Sequence, residues 1–201
     1  MCFGTEPDRA CLEALLRAAK SHESHVAVVA ADLLYDLAAN HEAARNAIRS
    51  LSEDGDEGAR FWAISAATMH RPIPNPFVVD ILRNGLADVR PKVSMHAAQK
   101  VAELRIKELL PALQDMFSGL KDPSDLEWCE LYIELVRDGY RVLPLSGGEC
   151  HMSIQLENGD LIGWMGKQSE VESKGPATFA KQIAQQYLAD EARREAMRCS
   201  H

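Results

Sequence analysis

Two His-Glu dipeptides, His22-Glu23 and His41-Glu42, are the residues of this sequence with the plainest capacity for chemistry. Imidazole and carboxylate together suit non-haem iron. Both dipeptides fall at predicted helix starts, where His and Glu are ordinary surface residues and Glu also favours the positive end of the helix dipole. Cys150-His151 sets a thiol beside a base. In a strand, however, neighbouring side chains point to opposite faces, so these two cannot act on each other as nucleophile and base. Ser146-Gly147-Gly148-Glu149 is Gly-rich but has neither the lysine nor the strand-loop-helix setting of a phosphate loop, and reads as a connection between strands. His96 lies in an Ala-rich helical segment and reads as an interior or groove histidine. GxSxG and HExxH are absent from the sequence. No catalytic residue, metal ligand or cofactor is therefore assigned.

The strongest candidate site is a surface for binding, not for reaction. At about 100° per residue, Glu127, Glu130, Glu134 and Asp138 fall within about 80° of one another on one helix. Leu131 lies close beside them, while Leu126, Cys129, Tyr132, Ile133 and Val136 occupy the far side. Such a stripe steers a basic protein partner, and an apolar neighbour such as Leu131 adds burial.

Composition limits what that partner can be. Of 201 residues, 46% are hydrophobic and 26% charged, an ordinary globular make-up with enough apolar material for a sizeable core. The net charge of −8 opposes the phosphate backbone that dominates nucleic-acid affinity, so nucleic acid is not expected as a partner. Neither a signal-peptide pattern nor a run of about 18 apolar residues occurs, and no membrane association is expected. The cysteines, Cys2, Cys11, Cys129, Cys150 and Cys199, are odd in number, scattered and without a CxxC pair. They argue against a disulfide framework or a zinc site, and the expected location is the cytoplasm.

The elements that carry these residues follow from periodicity. Ala-Ala pairs recur at Ala30-Ala31, Ala66-Ala67 and Ala97-Ala98, 36 and 31 residues apart, inside helical segments 25–37, 59–70 and 93–104. Small residues at a fixed place suit helices that stack closely. An amphipathic segment follows each, at 41–51, 75–86 and 106–117. Turns at 53–58, at Asp88 and at 119–122 separate the pairs, and 71–76 breaks the second pair internally. Pro111 fits if its helix begins near Lys107 or Glu108, because first-turn amides have no intrahelical partner. Residues 8–21 form an N-terminal capping helix. Ser124 and Glu127 make a capping-box pattern for a closing helix that stops at Gly139.

The run LADVRPKVSMHAAQKVAELRIKELLPALQDMF (86–117) resembles a HEAT-like repeat, with Asp88 in the turn, Val89-Arg90 opening the first helix, Ala97-Ala98 inside it and ELLPAL in the second. The resemblance covers roughly residues 22–120. It implies an α-solenoid, and a protein-binding role more often than an enzyme. One HEAT-like enzyme family, the deoxyhypusine hydroxylases, binds two irons through four His-Glu dyads at matching places in different repeats. Here two dyads lie 19 residues apart at opposite ends of one repeat.

Beyond Gly139 the period changes. Segments 140–145, 150–157 and 160–165 read as strands, with Asn158-Gly159 as a two-residue type I′ turn. That register puts Met152, Ile154 and Leu156 on one face with Leu161 and Met165, and His151, Ser153, Gln155, Ile162 and Trp164 on the other. A polar loop, 167–175, leads to a final helix from Pro176 whose Phe179, Ile183 and Tyr187 cover the hairpin, and the last residues are expected to fray.

The sequence thus predicts a mainly α protein: a HEAT-like helical repeat domain with capping helices at 1–139, then a small β-containing segment with a C-terminal helix at 140–201. The leading function is a non-enzymatic protein-protein interaction module, with an immunity or inhibitor-type protein that neutralises a partner as one form of it. The other class is a HEAT-like enzyme, a metal-dependent hydroxylase or a DNA glycosylase.

Overall fold

The computed structural model describes residues 7–69 and 75–198. It is mainly helical, with one three-stranded antiparallel sheet and a C-terminal helix. Cys2, Cys199 and most of the expected break at 71–76 lie outside the described residues. Two compact units divide the chain at Met1–Tyr132 and Ile133–His201, so the division falls inside the closing helix, where the sequence reading places it at the end.

The first unit runs α1 (Arg9–Ala19), α2 (Ser24–Ala38), α3 (Glu42–Ser52), α4 (Glu57–Thr68), α5 (Pro76–Leu86), α6 (Pro91–Glu103), a 3₁₀ turn (Lys107–Leu109) and α7 (Leu110–Gly119). Helix starts have local causes. Asp8, Asp56 and Asn75 accept from the amides of Ala10, Ala59 and Val78, satisfying donors that a helix leaves unpaired at its N-terminus. Pro76, Pro91 and Pro111 all sit in first turns, where a missing N–H costs nothing.

Packing follows the alanines. α2 lies against α4, and α4 against α6, while α3 neighbours α5, and α5 neighbours α7. Ala30, Ala31, Ala66, Ala67, Ala97 and Ala98 are all buried, so both members of each pair face a neighbour. Gly85 carries this furthest: a Cβ there would stand 2.8 Å from the Cβ of Ala97 and 2.8 Å from Cδ1 of Ile64. Between these small contacts Leu34, Ile48, Ile64, Leu82 and Leu113 fill the core, each worth about 1.5–3 kcal/mol of transfer free energy.

Turns are tied to one another by charge. Arg60, near the start of α4, donates from Nη2 to Asp88 Oδ1 at 3.2 Å and from Nη1 to the carbonyls of Asp54 at 2.9 Å and Gly55 at 3.1 Å. Asp88 also accepts from the Arg90 amide at 2.9 Å. Burial opposes ionisation of Asp88, but the Arg60 guanidinium and the Arg90 amide outweigh it and hold the carboxyl below its usual range.

α8 (Pro123–Asp138) crosses from the first unit into the second. Its cap differs from the capping box expected at Ser124. Asp122 takes that place, accepting from the amides of Ser124 at 2.8 Å and Asp125 at 3.4 Å. Pro123, preset for the first helical position, moves the start two residues earlier than Ser124 would allow.

In the second unit β1 (Tyr140–Pro144), β2 (Glu149–Gln155) and β3 (Leu161–Lys167) pair in sequence order, followed by α9 (Gln168–Lys174) and α10 (Pro176–Arg198). The expected hairpin register is wrong by one residue. Met152 faces Trp164 and Ile154 faces Ile162, so Ile162 and Trp164 join the buried face, and Leu161 and Met165 take the exposed one. The cause is the turn. Gly159 alone has positive φ, at 83°, whereas a type I′ turn needs it at both central residues. Leu156 N donates to Asp160 O at 2.8 Å and Gly159 N to Leu156 O at 2.9 Å, closing a three-residue loop in which Asn158 Oδ1 accepts from the Asp160 amide. One added loop residue shifts the register and reverses the faces of β3.

Two further expectations change. The polar loop contains α9, anchored by buried Val171, held by Gln168 to Glu172 and Lys174 to Glu170 at i,i+4, and ended by Gly175 at φ 77°. Of the terminal segment expected to fray, the part up to Arg198 is helical, in a run of good helix formers (Ala, Glu, Arg), and 199–201 lie outside the described residues. Phe179, Ala180, Ile183 and Ala184 of α10 cover the sheet, with the Phe179 ring edge-on to Trp164 at 4.6 Å, while Tyr187 is exposed.

Enlarging Ala98 to Leu should overpack the α6 contacts and cost about 1–3 kcal/mol, and Gly85→Ala should destabilise for the same reason. Urea unfolding checks both: wild-type midpoints would contradict the close approach of these helices.

Candidate functional site

α8 holds the acidic stripe, and the structure separates its members. Glu127 and Glu130 are exposed on the part of α8 within the first unit. Glu134 is half-buried and ion-paired with Arg141 of β1 at 3.3 Å, and Asp138 pairs with Arg137 at 2.7 Å. Leu131, expected to lend apolar surface, is 9% exposed, and Leu135 one turn on is buried with it. Helix α8 therefore buries two adjoining arcs, and its outward carboxylates are fewer than the helical wheel alone implies. Between Glu127 and the buried Cys129 stands Trp128, 52% exposed, with its ring 6.1 Å from that of Tyr132. Position on the wheel gave no reason to expect an open indole there.

A second surface was not singled out by sequence reasoning. On α2, Ala27, Ala30, Ala31, Leu34 and Ala38 are buried, and Val28, Val29 and Leu33 are 41%, 58% and 46% exposed. The signal was present in HVAVVAADLLYDL, which has more apolar residues than one buried stripe requires. Asp32 and Asp36 interleave with these aliphatics on the outward arc at i,i+4.

His96 of α6 is a base held in a buried setting. Its ring stacks on Phe61 of α4 at 4.1 Å, and Nε2 lies 3.0 Å from Ser65 Oγ. Burial, with a smaller contribution from Lys100, lowers its pKa to about 4 against weaker opposing effects of Glu103 and Gln99, so the ring is neutral at pH 7. Ser65 and His96 have the separation of a nucleophile and its base. Ser65, however, is 8% exposed and lies mid-helix, where the backbone amides are already used in the helix ladder and none is left to stabilise an oxyanion. This pair holds α4 and α6 together.

The remaining candidates are dispersed. Glu23 lies 3.4 Å from His25, and Glu42 is gripped by Arg45 at 2.6 Å and Arg49 at 2.8 Å. Among the described residues no three His, Cys, Asp or Glu side chains converge as a metal site would require. Cys150 is buried against the helices of the second unit while His151 points to the other side of the sheet, near Gly163. Burial raises the thiol pKa of Cys150, and burial together with Asp125 pushes Cys129 up to about 12. Both are protonated thiols, not nucleophiles. Among the described residues no helix is long and apolar enough to cross a membrane.

No family model matches the chain, and no curated protein matches it.

Two measurements test this site. The folded pKa of His96 lies below the unfolded value of about 6.5; hence between those limits only the unfolded chain takes up a proton, and stability falls as pH drops from about 6.5 to about 4. Urea unfolding at pH 7 and pH 4 should show wild type losing on the order of 2 kcal/mol more than His96→Phe, and equal losses would contradict a buried neutral imidazole. On α8, Glu130→Lys should leave the thermal midpoint near wild type, whereas Glu134→Lys sets like charge against half-buried Arg141 and should cost about 2 kcal/mol. Equal midpoints would show that the Glu134 pair carries no stability.

Proposed function

We propose that this chain is a non-enzymatic protein-binding module of the HEAT-like helical-repeat kind, which takes up a partner protein on the outward side of α2. The observation that carries this reading is the exposure of Val28, Val29 and Leu33 on a helix whose opposite side is fully buried. Folding alone gains nothing from these open aliphatics, and contiguous exposed apolar surface beside polar groups is what recognition surfaces present. Asp32 and Asp36 between them favour a basic partner.

The N-terminal part of α8 supplies a second contact of similar chemistry, with the exposed Trp128 beside Glu127 and Glu130. Exposed Trp residues of this kind concentrate binding energy, and the carboxylates speed association. An inhibitor or immunity-type role, in which this surface occludes a basic toxin or effector, is the specific form we favour. A cytoplasmic location accords with the thiol side chains of Cys11, Cys129 and Cys150, which are not disulfide-bonded. The enzyme alternatives have less to support them. The only Ser-His pair we identify among the described residues lacks oxyanion donors, and Glu42 is committed to two arginines.

Affinity capture from source cells with wild-type protein, followed by reconstitution of the captured partner as a purified component, tests the reading. Val29→Glu with Leu33→Glu should weaken that purified complex at least about tenfold with no loss of fold, since both side chains already face solvent. Glu127→Lys with Glu130→Lys should slow association and flatten its dependence on ionic strength. If neither pair of substitutions alters the complex, both surfaces are ordinary solvent-facing helix sides.

A further inference from the structure

Among the concave features of the first unit that the docking surfaces leave unused is an open cleft of about 760 Å³ bordered by α2, α3, α4 and the start of α5. Its walls are mostly small and apolar, Ala67 among them, with the aromatic rings of Tyr35 and Phe77. Among the described residues, Arg45 and Arg49 are its charged lining groups, in a protein whose net charge is −8. A cleft of several hundred Å³ with apolar walls and a few convergent polar groups is the usual form of a small-molecule site.

The two guanidiniums are held in place. Arg45 donates from Nε to Glu42 at 2.6 Å and from Nη1 to the Ala38 carbonyl at 2.6 Å. Arg49 donates from Nη1 to Glu42 at 2.8 Å and to Asn46 at 2.7 Å, and its guanidinium carbon lies 5.2 Å from the centre of the Phe77 ring. Among the described residues, Nη2 of both, and Nε of Arg49, have no acceptor. Arg49 first, then Arg45, lowers the pKa of Glu42, which stays ionised, so the three side chains together carry one positive charge. Fixed, planar donors with spare N–H groups match a carboxylate, and orientation by Glu42 reduces the entropy lost on binding it.

We infer that this cleft binds a small organic carboxylate with an aromatic or branched apolar body. The carboxylate sits against Arg45 and Arg49, and the body lies along Ala67 and Phe77. This inference is independent of the protein-binding reading, because the residues of the two sites differ.

The full-length protein, labelled with ¹⁵N, is titrated with 4-phenylbutyrate, indole-3-acetate and octanoate, and in parallel with 4-phenylbutanol and inorganic phosphate. At least one of the three acids should produce saturable amide shifts at Ala67 and Phe77, and phenylbutanol and phosphate should each bind at least about tenfold more weakly than that acid. Arg45→Gln and Arg49→Gln should each weaken the acid by about tenfold or more while leaving the remaining amide spectrum in place. The comparison of acid with alcohol uses only the wild type, so a variant that fails to fold does not blunt the test. No saturable shift with any acid up to about 10 mM, equal affinity for acid and alcohol, or phosphate binding as tightly as the acids would each overturn the inference.

Discussion

Close approach between helices in the first unit is the constraint on which the rest of that unit depends. Gly85 has no room for a methyl group between Ala97 and Ile64, and the six alanines of the recurring pairs are all buried. With side chains this small at the crossings, successive helices sit near enough for a thin array to reach the packing density of a larger core. The same closeness makes each contact intolerant of growth, since neighbours cannot retreat without disturbing the next pair. It also explains why the large aliphatics Leu34, Ile64 and Leu82 appear at intervals, filling the spaces between crossings.

Packing of that kind is non-directional, and the turns supply the direction. Arg60 reaches both the turn before its own helix and Asp88 in the next turn, and Lys20 at the end of α1 forms an ion pair with Asp54. The Arg60–Asp88 contact is the most enclosed of these pairs. Its forked geometry and the added Arg90 amide offset the desolvation that a single contact would not. One edge of the unit is thereby fixed by polar groups in register. His96 works on a different side, joining α4 and α6 through a stacked ring and a hydroxyl, and its neutrality is the electrostatic consequence of that burial.

The second unit rests on a turn. Because its loop holds three residues and not two, Trp164 and Ile162 turn inward to meet Met152, Ile154 and Phe179, and Gly166 leaves the space that the Trp164 ring occupies. A two-residue loop would have sent Leu161 and Met165 to that core and left an indole in solvent. Cys150 and His151 are separated by the sheet for the same reason of alternation, which holds in either register.

Helix pairs, the Ala-Ala recurrence, Pro111 in a first turn, the closing helix ending at Gly139 and the three strands were legible in the sequence, because each follows from local propensity or from a period of 3.6 or 2 residues. The absence of a Cys150-His151 dyad was legible too, since alternation along a strand is a local rule. What the sequence left undecided depends on which neighbours arrive from elsewhere in the chain. Asn158-Gly159 is compatible with two loop lengths, and the three-residue loop that forms brings Trp164 onto Phe179, a contact that the residues of the turn do not foretell. Leu131 sits at the border of the acidic arc of α8 on a helical wheel, and only tertiary contact makes it buried and sets Arg141 against Glu134. Arg45 and Arg49 share a helix face at i,i+4, but Phe77 is far enough away in sequence that no spacing rule joins it to them. The cleft they share exists because α3 and α5 pack as neighbours, and that adjacency is a property of the folded array, not of any segment within it.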